Sequence, residues 1–165
     1  DQAAAYDASA EAWSRLSLVR QKEPAWLPEL LSALTLRLGR RMGVAEDSLP
    51  HLHRGVLLHD IGKLSIPDII LIKDGSLTVE EWQIMRCHPN NALEWLQPIS
   101  YLRPALNIPY CQHERWDGKG YPRGLKGREI PLEARVFSVV NVWAMLQCER
   151  PHRLRATKRR GGKKR

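Results

Sequence analysis

A histidine followed at once by an aspartate, His59 and Asp60 in LLHDIGKLSIPD, puts a neutral imidazole and a hard carboxylate at one point of the chain. That pairing suits a first-row divalent metal. Leu57, Leu58 and Ile61 flank it, so the carboxylate enters apolar surroundings, where a charge is costly unless a cation or several donors lie close. Lys63, just past Gly62, can be that cation. Taken alone, such a pair is also the ordinary hydrogen-bonded end of a helix. Two more histidines stand late in apolar segments, His88 in RCHPNNA and His113 in Gln112-His113-Glu114. Each by itself reads as a core histidine, but the connecting loops are short enough for the helices to be neighbours and for the histidines to meet His59 and Asp60. A fourth place is WDGKGYPRGLKGREIP, with four glycines and two prolines in sixteen residues, which makes a compact irregular loop. Glycine lets backbone approach a ligand closely, and Trp116, Lys119, Tyr121, Arg123 and Lys126 offer stacking faces and cations for a nucleotide phosphate. The alternative is an Ω-loop packed by its own Trp and Tyr.

Helices have to position these groups. Tyr6, Ala10, Trp13 and Leu16 recur at three and four within residues 3–19, and Leu27, Leu30, Leu31, Leu34, Leu38 and Met42 share one face before Gly43 stops the next helix. A third helix is expected over 48–62. Thr78 with Glu81 forms a capping box opening a fourth, which should run into His88 and break at Pro89. A fifth covers 91–96, a sixth 101–115 and a seventh 132–148. No segment alternates with period two between turns. The class is therefore all-α, a compact bundle of about seven helices.

At 165 residues the chain is long enough for one self-supporting core. Cys87, Cys111 and Cys148 are scattered, odd in number and not in metal-type pairs, which reads as reduced thiols and argues against a cysteine zinc site. No apolar run suffices to span a bilayer and the start, DQAAAYDASAEAW, lacks a signal-peptide pattern, so a cytoplasmic protein is expected. The net charge of +8 resides mostly in LRATKRRGGKKR, seven Lys or Arg without an acid. The body is nearly neutral. Residues 154–165 are expected to be a disordered basic tail, and nucleic acid is not the expected partner.

HDIGK, IPDIILIKDGSLTVEEW, the spaced His88-Pro89, HERWDGKGYPRGL, EIPLEAR and ERPHR occur in one order and spacing, and in that the chain resembles the HD-GYP family of bacterial metal-dependent phosphodiesterases from about Glu23 to Arg153. The resemblance implies an HD-type helical fold with a GYP loop over residues 23–153. It implies two or three metals, usually iron or manganese, and hydrolysis of cyclic di-GMP to pGpG or GMP. Residues 1–22 would be a helix leading from an upstream sensor domain, and a partner protein or a second copy of the chain are further partners that this signalling role leaves open. Carried over by residue, His59, Asp60, His88 and His113 are metal ligands, with Asp60 bridging, and Glu23 falls where some members have a carboxylate for a third metal. Asp60 and Lys63 are the catalytic pair, Lys63 contacting phosphate or orienting the nucleophile. Tyr121 and Arg135 are the ligand contacts, Arg135 having the planar fork that fits phosphate, although a surface ion pair with Glu133 would also suit it.

Three positions depart from the family pattern. Leu27 stands where the first metal-binding histidine is expected, Gln112 replaces one of two paired histidines, and Asn141 replaces the last aspartate, in SVVNVWAML. Two divalent cations a few ångströms apart repel unless carboxylates offset them, and Asp to Asn removes an offset. The expectation is a degenerate member with fewer metals and much reduced hydrolysis that binds a cyclic dinucleotide or a partner through its GYP loop. The alternative is an active phosphodiesterase with a mononuclear or atypical centre. The family continues beyond ERPHR, so Val139 or Trp143 is expected to be uncovered.

Overall fold

The structure, a computed structural model, describes residues 2–147, so ERPHR and the expected tail lie outside the described residues. Eight α-helices order them: α1 (Gln2–Gln21), α2 (Leu27–Arg41), α3 (Leu49–Leu58), α4 (Asp68–Leu71), α5 (Val79–Met85), α6 (His88–Leu96), α7 (Asn107–Cys111) and α8 (Leu132–Gln147). Short 3-10 turns fill Ile61–Ser65 and Ser100–Ala105 among others. Among the described residues the only β pairing is an isolated bridge between Asp117 and Lys126.

Local chemistry sets the ends. Pro28, Pro50 and Pro89 each stand in the first turn of a helix, where a missing N–H costs nothing. Gly43, at φ +88°, ends α2 with its N–H on Arg40 O and the Val44 N–H on Gly39 O, a Schellman closure. The expected capping box is present: Glu81 N–H donates to Thr78 Oγ1 at 3.2 Å and Thr78 N–H to Glu81 Oε2 at 2.7 Å.

Two sequence expectations need correction. His88 does not end the helix before it but begins α6, because Pro89 at the first turn starts a helix rather than breaking one. The helix expected over 101–115 is a 3-10 segment followed by the five residues of α7, since Pro104 and Pro109 remove backbone donors from any longer helix. The four-residue helix α4 was not expected.

The third helix is the axis of the core. On one side Leu52 and Val56 pack with Leu27 and Leu31 of α2, Ile108 of α7 and Phe137 and Val140 of α8. On the other, Leu58 and Ile61 join Ala10 of α1 and Ala92 and Leu96 of α6. A small third cluster, Cys111, Ile130 and Ala134 with Tyr110 and Leu125 against it, underlies the glycine-rich loop. The end of α3, and with it His59 and Asp60, is thereby anchored on both sides. The face of α8 away from this core leaves Val139, Val142, Trp143 and Leu146 exposed. No helix among the described residues is long and apolar enough to cross a membrane.

Candidate metal centre and its glycine-rich loop

His59 and Asp60 occupy the turn just after α3, and Asp60 is buried at 8% exposure. The turn packs on α6 closely enough that a Cβ on Gly62 would overlap the His88 carbonyl oxygen. Glycine is required there, and the closeness brings His88 to Asp60. His59 and His88 are oriented alike: each donates Nδ1–H to the carbonyl three residues earlier, Val56 and Met85, at 2.7 Å. In His88, which burial favours as the neutral ring, that hydrogen bond fixes the tautomer and leaves Nε2 as the lone-pair nitrogen.

Both Nε2 atoms then point at the carboxylate. His88 Nε2 is 3.9 Å from Asp60 Oδ1 and 3.0 Å from His113 Nε2, and one ligand atom from each of Asp60, His88 and His113 lies within 4.8 Å of the others. Burial, with His88 close by, pushes His113 down to about 3, and burial lowers His88 also. Burial would raise Asp60, but the charges of Lys63 and His59 hold it well below the usual carboxylate value. Two neutral imidazoles and an ionised carboxylate are the protonation states a metal needs. The three donors could hold one divalent metal ion.

The other oxygen of Asp60 has different company. Lys63 Nζ donates to Oδ2 at 2.7 Å, the ion pair expected from the sequence, and His59 Nε2 stands 3.4 Å from the same atom. Burial works against charge on His59, but Asp60 beside it keeps its pKa above the usual value. Leu27 is 1% exposed, and it lines a cleft of about 10 Å³ together with Glu23, His59 and Asp60. The cleft has room for about one water. The Gln112 amide is engaged elsewhere: its Nε2 donates to the His59 carbonyl at 2.5 Å, and its Oε1 is buried with no hydrogen-bond partner. Asn141 Oδ1 is another buried oxygen without a partner.

The glycine-rich loop is tied to this centre by a residue whose role the sequence did not disclose. Glu114, 6% exposed, accepts from the backbone N–H of Arg123 at 2.7 Å and of Leu125 at 2.9 Å. A Cβ on Gly120 would strike the backbone of Glu114 and Arg115, so the loop folds flat against its own stem. Tyr121 follows a 3.2 Å hydrogen bond from its N–H to the His113 carbonyl and lies stacked on the His113 ring, centroids 4.8 Å apart and planes at 5°. Its peptide bond to Pro122 is cis. Burial raises the Tyr121 phenol to about 12, so it stays protonated. Arg86, unremarked in the sequence, covers the Tyr121 ring at 5.3 Å. Arg135 does not pair with Glu133, which accepts from Asn107; its guanidinium sits 5.9 Å from the Trp116 ring and its Nε is buried without a partner. Of the Ω-loop alternative, packing by its own Trp and Tyr, the Tyr121 half is seen in its stack on His113, while Trp116 stays exposed.

A protein-family model described as HD domain matches residues 9–160. The chain belongs to the HD domain family, in its HD-GYP branch. This HD-GYP chain is 38% identical to the cyclic di-GMP phosphodiesterase of Thermotoga maritima, the match covering 87% of the chain and 39% of that protein. It is 36% identical to the cyclic di-GMP phosphodiesterase response regulator RpfG of Xanthomonas campestris, over 76% of the chain and 34% of that protein. A 3'3'-cGAMP-specific phosphodiesterase of Vibrio cholerae is 36% identical over 71% of the chain and 23% of that protein. The chain thus spans well under half the length of these relatives. Among solved structures, the HDG"Y"P protein Bd1817 of Bdellovibrio bacteriovorus shares the fold, with a TM-score of 0.61 at 19% identity over 84% of the chain and 51% of that protein. The HD-GYP segments that announced the resemblance are those that converge in space: HDIGK at the end of α3, His88-Pro89 at the start of α6, and HERWDGKGYPRGL after α7.

Proposed function

We propose that this HD-GYP chain is a module of cyclic dinucleotide signalling that binds cyclic di-GMP or a related nucleotide and hydrolyses it weakly or not at all. The observation that carries this reading is the contrast between the two oxygens of Asp60. Oδ1 faces His88 and His113, a set of donors fit for one iron or manganese. Oδ2 faces Lys63 and His59 beside a cleft lined by Leu27, which has no lone pair to donate. A lysine ammonium therefore offsets the charge at Oδ2, and Asn141 supplies no negative charge for a second cation. A bound metal would polarise a phosphodiester and lower the pKa of a water. The chain's own residues would do the rest: Asp60, His88 and His113 would hold the ion, Lys63 would offer its ammonium to phosphate, and Tyr121 on the loop and Arg135 on α8 beside Trp116 are the candidate nucleotide contacts. Glu23, which borders the same cleft as Leu27, is the carboxylate candidate for any additional ion.

The test is chromatography of cyclic di-GMP incubated with protein loaded anaerobically with Fe(II), and separately with Mn(II), with His88→Ala as control and circular dichroism to show folding. Little or no pGpG or GMP, with nucleotide binding that survives chelation and weakens in Tyr121→Ala, is the expected result. Turnover that His88→Ala abolishes would replace it with a second reading, an active phosphodiesterase with a mononuclear centre, which the tight cluster of three donors favours.

A further inference from the structure

The last turn of α1 reaches across to the segment that carries Asp60 and Lys63. Ser17 Oγ donates to the Asp60 carbonyl at 3.4 Å, and Gln21 Nε2 donates to Ser17 Oγ at 2.9 Å. Gln21 Oε1 in turn accepts from Lys63 Nζ at 3.0 Å. Between them Arg20 spreads its guanidinium over the end of the 3-10 turn, donating to the carbonyls of Lys63 at 3.2 Å, Leu64, and Ile66 at 2.5 Å, and to Asp68 Oδ1 at 2.8 Å. Carbonyls at a helix end have spare acceptor capacity and favour a cation. The planar fork of arginine can hold several at once, fixing their relative positions.

Apolar burial of α1 comes from Ala10 and the part-buried Trp13, which join the Leu58 and Leu96 cluster, whereas the buried residue nearest its last turn is Ser17. The register of α1 against the turn is accordingly set by directional polar contacts. Lysine is a point charge on a flexible four-carbon stem, and where its ammonium stands depends on its acceptors. Asp60 alone would fix one distance; Gln21 adds a second and so gives the ammonium a direction.

We propose that Arg20 and Gln21 are positioning residues, Arg20 fixing the Asp60–Lys63 turn and Gln21 aiming the Lys63 ammonium, so that the placement of α1 governs nucleotide binding at the site. The proposal rests on the reading that Lys63 meets the phosphate. The full chain, loaded with Mn(II), is titrated calorimetrically with cyclic di-GMP. Gln21→Met, which keeps length but removes the acceptor, should weaken binding about tenfold, the loss of one hydrogen bond to a charged group. Mn(II) affinity should not move, and Gln21→Glu, which restores an acceptor oxygen, should recover binding. Wild-type affinity in Gln21→Met, or no recovery in Gln21→Glu, overturns the proposal. If the wild-type chain itself binds no cyclic di-GMP, the functional reading above is what fails. The role of Arg20 as a latch on the Asp60–Lys63 turn is then decided by amide exchange in Arg20→Met at Lys63 and Ile66, whose N–H groups bond across this turn at 3.0 Å. Selective acceleration there, with α3 and α8 unchanged, supports it, and unchanged exchange overturns it.

Discussion

Asp60 divides its two oxygens between a set of nitrogen donors and a lysine, and the division follows from what stands opposite. On the proposed reading, donors added at positions 27 and 141 should add a second metal. The double variant Leu27→His with Asn141→Asp is expected to raise bound Mn(II) from about one to about two ions per chain, and cyclic di-GMP turnover with it, as charge offset and coordination return together. Elemental analysis after anaerobic loading reads the first and chromatography the second; metal content unchanged in the folded double variant would sink the account. At this scale much was legible in the sequence. Asp60, His88 and His113 stand in recognisable spacing and meet in space, while His59, expected with them, stands apart from that group at the other oxygen of Asp60. Glu114 was not legible, because a glutamate next to a histidine suggests a ligand or a base, whereas here both oxygens are spent on backbone N–H groups. Glu114→Gln leaves one of those N–H groups facing an amide NH2, so urea unfolding should show a loss of about 1–3 kcal/mol.

Elements position the site through close approach. Gly62 lets the turn after α3 lie on the first turn of α6, and Gly62→Ala must push the two apart. The expected cost is about 2–3 kcal/mol of stability from overpacking. Weaker Mn(II) binding should accompany it, since His88 and Asp60 sit on opposite sides of the contact, and calorimetry on the folded variant checks this. Prolines were where the sequence misled. A proline behind an amphipathic run reads as a stop, yet Pro89 stands where α6 begins, and only the three-dimensional path shows which side of a proline is helical. The Arg20 latch was equally hidden: an arginine at a helix end looks like a solvated charge, and its acceptors are carbonyls more than forty residues away.

For the whole molecule, the two sides of the core meet at α3, and what disturbs either side reaches His59. Phe137 is fully buried with its ring centroid 5.0 Å from that of His59. Phe137→Ala should cost about 3–5 kcal/mol in thermal or urea unfolding, from lost burial and the cavity left behind. The first helix is fastened at its other end by Asp7, which accepts from Arg54 at 2.6 Å and from Tyr101 at 3.2 Å, with Tyr6 stacked on Tyr101. The hydrogen bond from Arg54 lowers the Asp7 pKa below its usual 3.8. Its contribution to stability is therefore complete above that value and lost as pH falls through the folded pKa. Asp7→Asn should remove this part of the acid dependence, read as a shallower loss of melting temperature on acidification, and an unchanged slope would show that the pair contributes nothing. The all-helical class and the single core followed from hydrophobic spacing; the fastening of α1 did not, because partners forty-seven residues apart leave no periodic trace.

The loop also carries an optical consequence. Trp116 is 62% exposed and shares its face with Arg135, and Trp82 lies under Arg86 beside Tyr121. A purine or phosphate drawn into the loop must change the surroundings of one indole or both. With the other tryptophans replaced by phenylalanine, the emission of Trp116 would follow occupancy in real time, and the protein would serve as its own dye.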